Sequence, residues 1–143
     1  MALRGWTMTT GSTMQVPAAV DVLAPDGSEV RILLSLVGGS MAHFQLAPGQ
    51  VSRAVLHRTV EEIWYILSGV GEMWRCAGDH AVTVPLASGT CLTIPVGTTF
   101  QFRCVGNDPL AAVAVTMPPW PGDGEAVMAE GPWTPTPPPS RHR

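Results

Sequence analysis

Two stretches of the chain decide the fold: GQVSRAVLHRTVEEIWYILSG, residues 49–69, and GTCLTIPVGTTFQFRC, residues 89–104. Each begins with a glycine and consists of short runs of β-branched and aromatic residues that end at Gly, Pro or Ser. Runs of this length and composition, bounded by turn residues, are typical of β-strands. The two stretches therefore predict strands that are joined by tight turns.

The same pattern continues on both sides of these stretches. At roughly ten-residue spacing it predicts eight strands: Val30–Leu36, Ser40–Leu46, Glu62–Leu67, Glu72–Cys76, Ala81–Val84, Cys91–Ile94, Thr99–Cys104 and Ala111–Thr116. The 15 glycines and 14 prolines favour turns and short strands over long helices. The fold class predicted from the pattern is all-β, a barrel or a sandwich.

The composition excludes several classes of function. The 143 residues suffice for one domain, and 45% of them are hydrophobic whereas only 13% are charged. A net charge of −3 gives no basis for binding a phosphate backbone, so no nucleic-acid partner is expected. All eight basic residues are arginine, which excludes a Schiff-base lysine. The apolar runs are too short to span a membrane, so no membrane partner is expected.

The cysteines indicate the compartment. Cys76, Cys91 and Cys104 are widely spaced and form no C-x-x-C pair. This pattern predicts free thiols rather than a disulfide framework or a structural zinc site. The N-terminal residues 1–14 lack the apolar stretch of a signal peptide, so a cytoplasmic location is expected.

Composition divides the chain into three segments. Residues 1–27 are predicted to be a partly flexible N-terminal segment, residues 28–117 the barrel, and residues 118–143 a Pro-rich C-terminal tail with eight of the 14 prolines. Such a tail is expected to be extended or disordered, because it lacks the periodic apolar residues of a core. Trp120 and Trp133 interrupt it, and we expect the stretch up to Trp133 to pack over the barrel.

The spacing of the turn residues resembles that of the cupin family. The stretches read Gly49-x5-Val55-x-His57-x4-Glu62-x6-Gly69 and Gly89-x5-Pro95-x-Gly97-x2-Phe100-x3-Cys104. They are similar to the cupin motifs G-x5-H-x-H-x3–4-E-x6-G and G-x5-P-x-G-x2-H-x3-N, and the similarity covers about residues 28–117. The resemblance implies a double-stranded β-helix, a jelly-roll-like cupin barrel that closes a small pocket and commonly forms a homodimer.

The resemblance also implies where a metal ion would lie, and the chain departs from the family there. Typical metal cupins use two histidines and one glutamate from the first motif and one histidine from the second. Here Val55 and Phe100 occupy two of these positions, which leaves His57 and Glu62. Divalent metal sites generally need at least three protein ligands, so no cofactor is predicted. The alternative is a weak divalent metal site formed by His57, Glu62 and His43.

The remaining pair has a chemistry of its own. In the family barrel, His57 and Glu62 would point into one cavity, near enough to form a hydrogen bond. A carboxylate beside an imidazole fixes the tautomer of the ring and raises its basicity, which suits a general acid–base pair. The other interpretation is a structural unit in which two buried polar groups satisfy each other.

Apolar side chains are expected to line the rest of the cavity. Trp64 shares a strand face with Glu62, two residues before it. Phe100, Phe102 and Cys104 share one face of the strand in the second motif. With Val55 these are the predicted pocket residues, and such a pocket suits a small, largely apolar organic molecule with one reactive centre.

Three functions remain open from the sequence. The first is a metal-independent isomerase, lyase or cyclase in which His57 and Glu62 are the catalytic residues. The second is a non-catalytic cupin that binds a small ligand. The third is a divergent metal-dependent cupin of the dioxygenase or lyase type.

Overall fold

The computed structural model describes residues 10–137, which form eleven β-strands and no helix. The strands are β1 (Val22–Leu23), β2 (Glu29–Leu36), β3 (Gly39–Leu46), β4 (Val55–His57), β5 (Glu61–Ser68), β6 (Gly71–Ala77), β7 (His80–Leu86), β8 (Cys91–Ile94), β9 (Thr99–Cys104), β10 (Leu110–Met117) and β11 (Ala126–Met128). All eight predicted strands are present, and the all-β prediction is confirmed. Within this range no helix is long and apolar enough to cross a membrane.

The strands form two antiparallel sheets that face each other. The six-stranded sheet has the order β1-β2-β3-β10-β5-β8, and the five-stranded sheet has the order β11-β4-β9-β6-β7. The side chains between the sheets form one hydrophobic core, whose largest members include Trp64, Phe100, Phe102, Met73 and Leu86. This two-sheet arrangement is the double-stranded β-helix that the resemblance implies, and the fold prediction is confirmed.

Strand β5 shows how the sequence places side chains on the two faces of the sheet. Glu62, Trp64 and Ile66 are buried between the sheets, whereas the alternate residues Glu61, Ile63, Tyr65 and Leu67 are exposed. Successive side chains in a strand point to opposite faces, so one register sets all of these positions. The register therefore buries a carboxylate and leaves an apolar outer face.

The motif glycines are required by the turns. Gly69, which ends the first motif, has φ +84°, and a Cβ added there would lie 2.3 Å from the carbonyl oxygen of Pro109. Gly89, which begins the second motif, has φ +92°. Glycine adopts such backbone angles without steric cost. The glycine spacing in the sequence is thus the spacing of the turns.

Residues 118–137, which we call the C-terminal strap, pack against the five-stranded sheet. Within the strap, β11 pairs with β4 and so adds an edge strand to the sheet. Trp133 docks on the outer face of β9, as expected, where the guanidinium carbon of Arg103 lies 4.1 Å from its ring centroid. Part of the segment predicted to be a tail therefore belongs to the sheet. Residues 1–9 and 138–143 of the predicted terminal segments lie outside the described residues.

Gln101 holds the strap to the sheet. Its side chain is fully buried, and its Nε2 donates to the carbonyl oxygens of Ser52 and Trp133, each at 2.8 Å. The backbone N–H of Trp133 donates to Oε1 of Gln101 at 3.2 Å. The amide thus bonds both backbone groups of one strap residue.

Replacing this amide should loosen the strap. Gln101→Leu leaves the backbone groups of Trp133 and Ser52 without partners, and we expect a loss of about 2 to 3 kcal/mol in the free energy of unfolding. Urea denaturation measures the loss, and hydrogen exchange should show faster exchange in residues 126–137. The exposed Gln15→Leu variant is the control and should behave like the parent protein. Unchanged protection of the strap in Gln101→Leu would contradict the role of this amide.

Candidate active site

A cavity of about 650 Å³ opens between the two sheets. Its walls come from β1, β2, β3, β5 and β10 of one sheet, from β4 and β9 of the other, from the turn between β1 and β2, and from the strap. Most of the lining residues are apolar, and the polar ones are Asp26, Ser35, Ser40, His57, Glu62, Thr116 and Asp123. An apolar cavity with a few convergent polar groups is the usual form of a small-molecule site.

His57 and Glu62 meet inside this cavity, as the resemblance implies. The imidazole Nδ1 lies 2.9 Å from Oε2 of Glu62, and the two residues are 5% and 3% exposed. The pair has the distance of an ion pair, but the ring nitrogen does not have the angle of a hydrogen bond to this oxygen. The second carboxylate oxygen, Oε1, accepts a 2.5 Å hydrogen bond from Nε1 of Trp64.

The ring of His57 is held between two aromatic side chains. It packs edge-to-face against Phe100, with centroids 5.2 Å apart, and against Trp120, with centroids 5.0 Å apart. Because Nδ1 faces Glu62, Nε2 is the nitrogen left for a ligand. The ring is therefore fixed in orientation while one nitrogen stays available.

A strap residue, Glu125, positions the segment that follows His57. Its Oε2 accepts from the backbone N–H groups of Thr59 and Val60 at 2.7 and 2.9 Å, and its Oε1 accepts from Oγ1 of Thr59 at 2.7 Å. Burial raises the pKa of Glu125, but these hydrogen bonds outweigh it, so the pKa lies below its ordinary value. Sequence reasoning missed this residue, because nothing in a Pro-rich segment marks one acid as a buried acceptor.

The family's metal positions converge in the structure, but they do not fit a metal ion. Val55 and Phe100 are direct cross-strand partners on β4 and β9, both are buried, and neither carries a donor atom. His57 and Glu62 supply two donors, whereas sites for divalent transition metals generally need at least three. Within the described residues no group of three or more His, Cys, Asp or Glu side chains could hold an ion together.

The alternative metal set that includes His43 is not brought together. Phe44, its neighbour on β3, lines the cavity, so His43 projects from the opposite face of the sheet. There it lies across from Arg31 in the strand pairing. Burial and then the positive charge of Arg31 lower the pKa of His43. The strand alternation that brings Phe44 to the cavity thus removes His43 from it.

The structure divides the predicted pocket residues into two groups. Val55, Trp64 and Phe100 line the cavity, whereas Phe102 and Cys104 do not. Phe102 lies behind Trp64, with ring centroids 5.0 Å apart, and Cys104 donates its thiol hydrogen to the carbonyl oxygen of Asp108. The prediction that these β9 side chains share the inner face is correct. Two residues along a strand span about 7 Å, however, so Phe102 and Cys104 lie beyond the cavity and pack in the core.

Asp26 is a cavity residue that sequence reasoning missed. It lies in the turn between β1 and β2, and its Oδ1 accepts from the backbone N–H and the hydroxyl of Ser28 at 2.9 and 2.7 Å. Burial raises the pKa of Asp26, the Ser28 hydrogen bonds act against this, and the charge of Glu62 raises it further. The sequence Pro25-Asp26-Gly27-Ser28 indicates the turn but not its burial.

Comparison with known proteins gives the family. A family model described as a cupin domain matches residues 42–116, just over half of the chain. The chain belongs to the cupin family. No curated protein matches it.

Solved structures with the same fold are distant in sequence. An uncharacterized conserved protein with a double-stranded beta-helix domain from Klebsiella pneumoniae has a TM-score of 0.61 at 19% identity, over 76% of this chain and 89% of that chain. The capsular polysaccharide assembling protein CapF from Staphylococcus aureus has a TM-score of 0.68 at 17% identity, over 82% of this cupin and 33% of CapF. Oxalate decarboxylase from Bacillus subtilis has a TM-score of 0.64 at 21% identity, over 80% of this cupin and 29% of the decarboxylase chain. This cupin therefore spans about a third of the length of the last two proteins, and at these identities the likeness shows the fold alone.

The hydrogen bonds of Glu125 predict a pH-dependent stability. Because its pKa is lower in the folded chain than the ordinary value of 4.5, Glu125 stabilises the fold above that pH, and this stabilisation is lost as the pH falls through the folded pKa. Glu125→Gln replaces an acceptor with a donor, and we expect it to cost about 2 kcal/mol at pH 7. Urea denaturation should show the difference from the parent shrinking as the pH falls below 4.5.

The exposed Glu130→Gln variant, also in the strap, is the control and should follow the parent at every pH. A stability difference for Glu125→Gln that stays constant into the acid range would contradict the account.

Proposed function

We propose that this cupin binds a small, largely apolar organic molecule and transforms it by metal-independent acid–base chemistry, as an isomerase, lyase or cyclase. His57 is the general acid–base residue, and Glu62 orients it. The observation that carries the proposal is the 2.9 Å contact between Nδ1 of His57 and Oε2 of Glu62 at the wall of the cavity. This contact leaves Nε2 of His57 for the ligand.

The arrangement suits proton transfer. The negative charge of Glu62, 2.9 Å from Nδ1, favours the neutral tautomer with the proton on Nδ1, so Nε2 carries the lone pair that takes a proton from a bound substrate. The negative charge of Glu62 then stabilises the imidazolium, and the same nitrogen returns the proton at another atom or to a leaving group. The apolar walls formed by Val55, Phe100 and Trp64 exclude water and strengthen these charge interactions.

The size of the cavity supports a small-molecule ligand. Its volume of about 650 Å³ falls within the range of sites that enclose metabolites of moderate size. The hydroxyl residues Ser40 and Thr116 add polar groups to its lining. The hydroxyls lie 2.6 Å apart, and that of Ser40 also accepts from the backbone N–H of Trp120 at 2.9 Å.

Removing the imidazole tests the enzymatic proposal. The parent protein is incubated with a panel of small organic molecules, and mass spectrometry with chromatography detects any product. For a compound that is converted, His57→Ala should lower turnover by about 100-fold or more and Glu62→Gln by a smaller factor, because a general acid–base group contributes about 10² to 10⁴ in rate. The exposed His80→Ala variant is the matched control and should keep full turnover. Full turnover by His57→Ala would overturn the proposal.

A second candidate function is non-catalytic ligand binding. The hydrogen bond from Trp64 to Glu62 favours it, because this bond satisfies the carboxylate within the protein. The same panel separates the two functions: a binding protein is stabilised by its ligand through mass action but releases that ligand unchanged.

We also propose that the protein is a cytoplasmic homodimer. All three cysteines are free, which supports a reducing compartment. On the outer face of the six-stranded sheet, Val115 pairs with both Met41 and Ile63, and Tyr65 lies in the adjacent row. Met41, Ile63 and Tyr65 are exposed large side chains, and a contiguous apolar surface of this kind favours burial against a second copy of the chain.

Charge on this face should prevent dimerisation. Tyr65→Glu places a carboxylate on this surface, and we expect analytical ultracentrifugation to give a monomer for this variant and a dimer for the parent. Val82→Glu, an exposed substitution on β7 of the other sheet, is the control and should stay dimeric. A monomeric parent at micromolar concentration would contradict the dimer.

A further inference from the structure

The charged groups that line the cavity are almost all acidic. They are the carboxylates Asp26, Glu62 and Asp123 and the imidazole of His57, and none of the arginines in the described residues lines the cavity. Two arginines contact the backbone of lining segments: Arg53 donates to the carbonyl oxygen of Pro25 and Arg58 to that of Gly124. The side chains of both arginines remain outside the lining. When His57 is protonated, its charge is already balanced by Glu62.

Asp26 has an unused oxygen at the cavity. The residue is only 6% exposed, and both hydrogen bonds to its side chain, from the backbone and the hydroxyl of Ser28, go to Oδ1. Within residues 10–137 no donor bonds Oδ2, which leaves that atom for a ligand. Because the residue is largely removed from water and this oxygen receives no donor in the described part of the chain, a positively charged group that reached it would replace the lost solvation.

The negative charge of Glu62 adds to the cost of keeping the carboxylate of Asp26 ionised in the cavity. Burial and the nearby charge of Glu62 both raise the pKa of Asp26, against the hydrogen bonds from Ser28. A ligand with a positive charge would relieve both effects, whereas an anionic ligand would add a further negative charge beside three carboxylates. Electrostatics therefore favour a cation and oppose a carboxylate or a phosphate.

The accessible aromatic walls suit the same ligand. Trp120 lines the cavity, lies beside His57 and is 37% exposed, and Phe44 is a partly buried aromatic of the lining. Trp64, in contrast, is enclosed, with Phe44 stacked on it at 5.4 Å. Aromatic faces attract ammonium groups, and they also provide apolar contact area for the body of the ligand.

We propose that the cavity binds an organic ammonium ion, with the charged nitrogen near Oδ2 of Asp26 and the apolar body against Trp120 and Phe44. The inference names the substrate class of the proposed active site, and it rests on the proposal that this cavity binds a small molecule. It adds two residues to that site: Asp26 as the anchor of the charge and Trp120 as the aromatic wall supplied by the strap.

Three matched probes test the charge preference. The full chain is titrated with 2-phenylethylamine, 2-phenylethanol and 3-phenylpropionate at pH 7.5 by isothermal calorimetry, with NMR shifts as a second readout. These compounds share the apolar body and differ in charge. We expect the amine to bind about tenfold more tightly than the alcohol, since charge-assisted hydrogen bonds and cation–π contacts add to the shared apolar contact. The carboxylate should bind more weakly than either.

Variants assign the preference to Asp26. Asp26→Asn keeps an acceptor for Ser28 but removes the charge, and it should abolish the advantage of the amine over the alcohol. The exposed Asp79→Asn, which lies in the turn between β6 and β7, is the matched control and should keep the full advantage. If Asp26→Asn does not fold, the exposed Asp123→Asn provides a variant of the same cavity, and it should lower the advantage by about threefold.

The outcomes separate this inference from the proposed function. Equal binding of the amine and the alcohol, or tighter binding of the carboxylate, would overturn the ammonium site while leaving the His57 chemistry intact. Selective amine binding without conversion of any amine would support the site and contradict the enzymatic proposal. If none of the probes binds at millimolar concentration, the ammonium site is overturned, and the conversion assay with His57→Ala still decides the His57 chemistry.

Discussion

A carboxylate taken out of water must be given partners, and the partners of Glu62 organise this barrel. Trp64 donates to one oxygen of Glu62 from the same strand face, and the ring nitrogen of His57 faces the other oxygen from the second sheet. Both sheets therefore contribute to one polar cluster inside an apolar interior. The cluster orients the imidazole, and this orientation determines which of its nitrogens reaches the cavity.

The C-terminal strap completes the site from outside the barrel. Glu125 holds the segment after His57, Trp120 covers the imidazole ring, and Trp133 is bonded by Gln101 on the outer face of β9. The same segment thus stabilises the five-stranded sheet and forms part of the cavity wall. Loosening of the strap is expected to affect the site, because the groups that hold the strap and those that position His57 belong to one continuous stretch of chain.

The sequence was sufficient for the parts of the structure that depend on local pattern. Turn glycines and alternation predicted the strands, and the resemblance to the cupin motifs implied that His57 and Glu62 meet. The sequence was not sufficient where the orientation or burial of a side chain depends on packing against segments far away in the chain. Whether His43 faces inward is decided by the register of β3, and the burial of Asp26 and Glu125 follows from contacts with segments far away in the chain. No local sequence pattern distinguishes Asp26 in its turn, or Glu125 in the strap, from an acidic residue that is exposed to solvent.

The tautomer of His57 is the most direct test of the central claim, that Glu62 orients the ring and leaves Nε2 open to a ligand. Long-range ¹H–¹⁵N NMR correlation on the ¹⁵N-labelled protein distinguishes the two neutral tautomers. We expect a proton on Nδ1 and a lone pair on Nε2 in the parent protein, and loss of this preference in Glu62→Gln. A proton on Nε2 in the parent, or a tautomer unaffected by Glu62→Gln, would contradict the account.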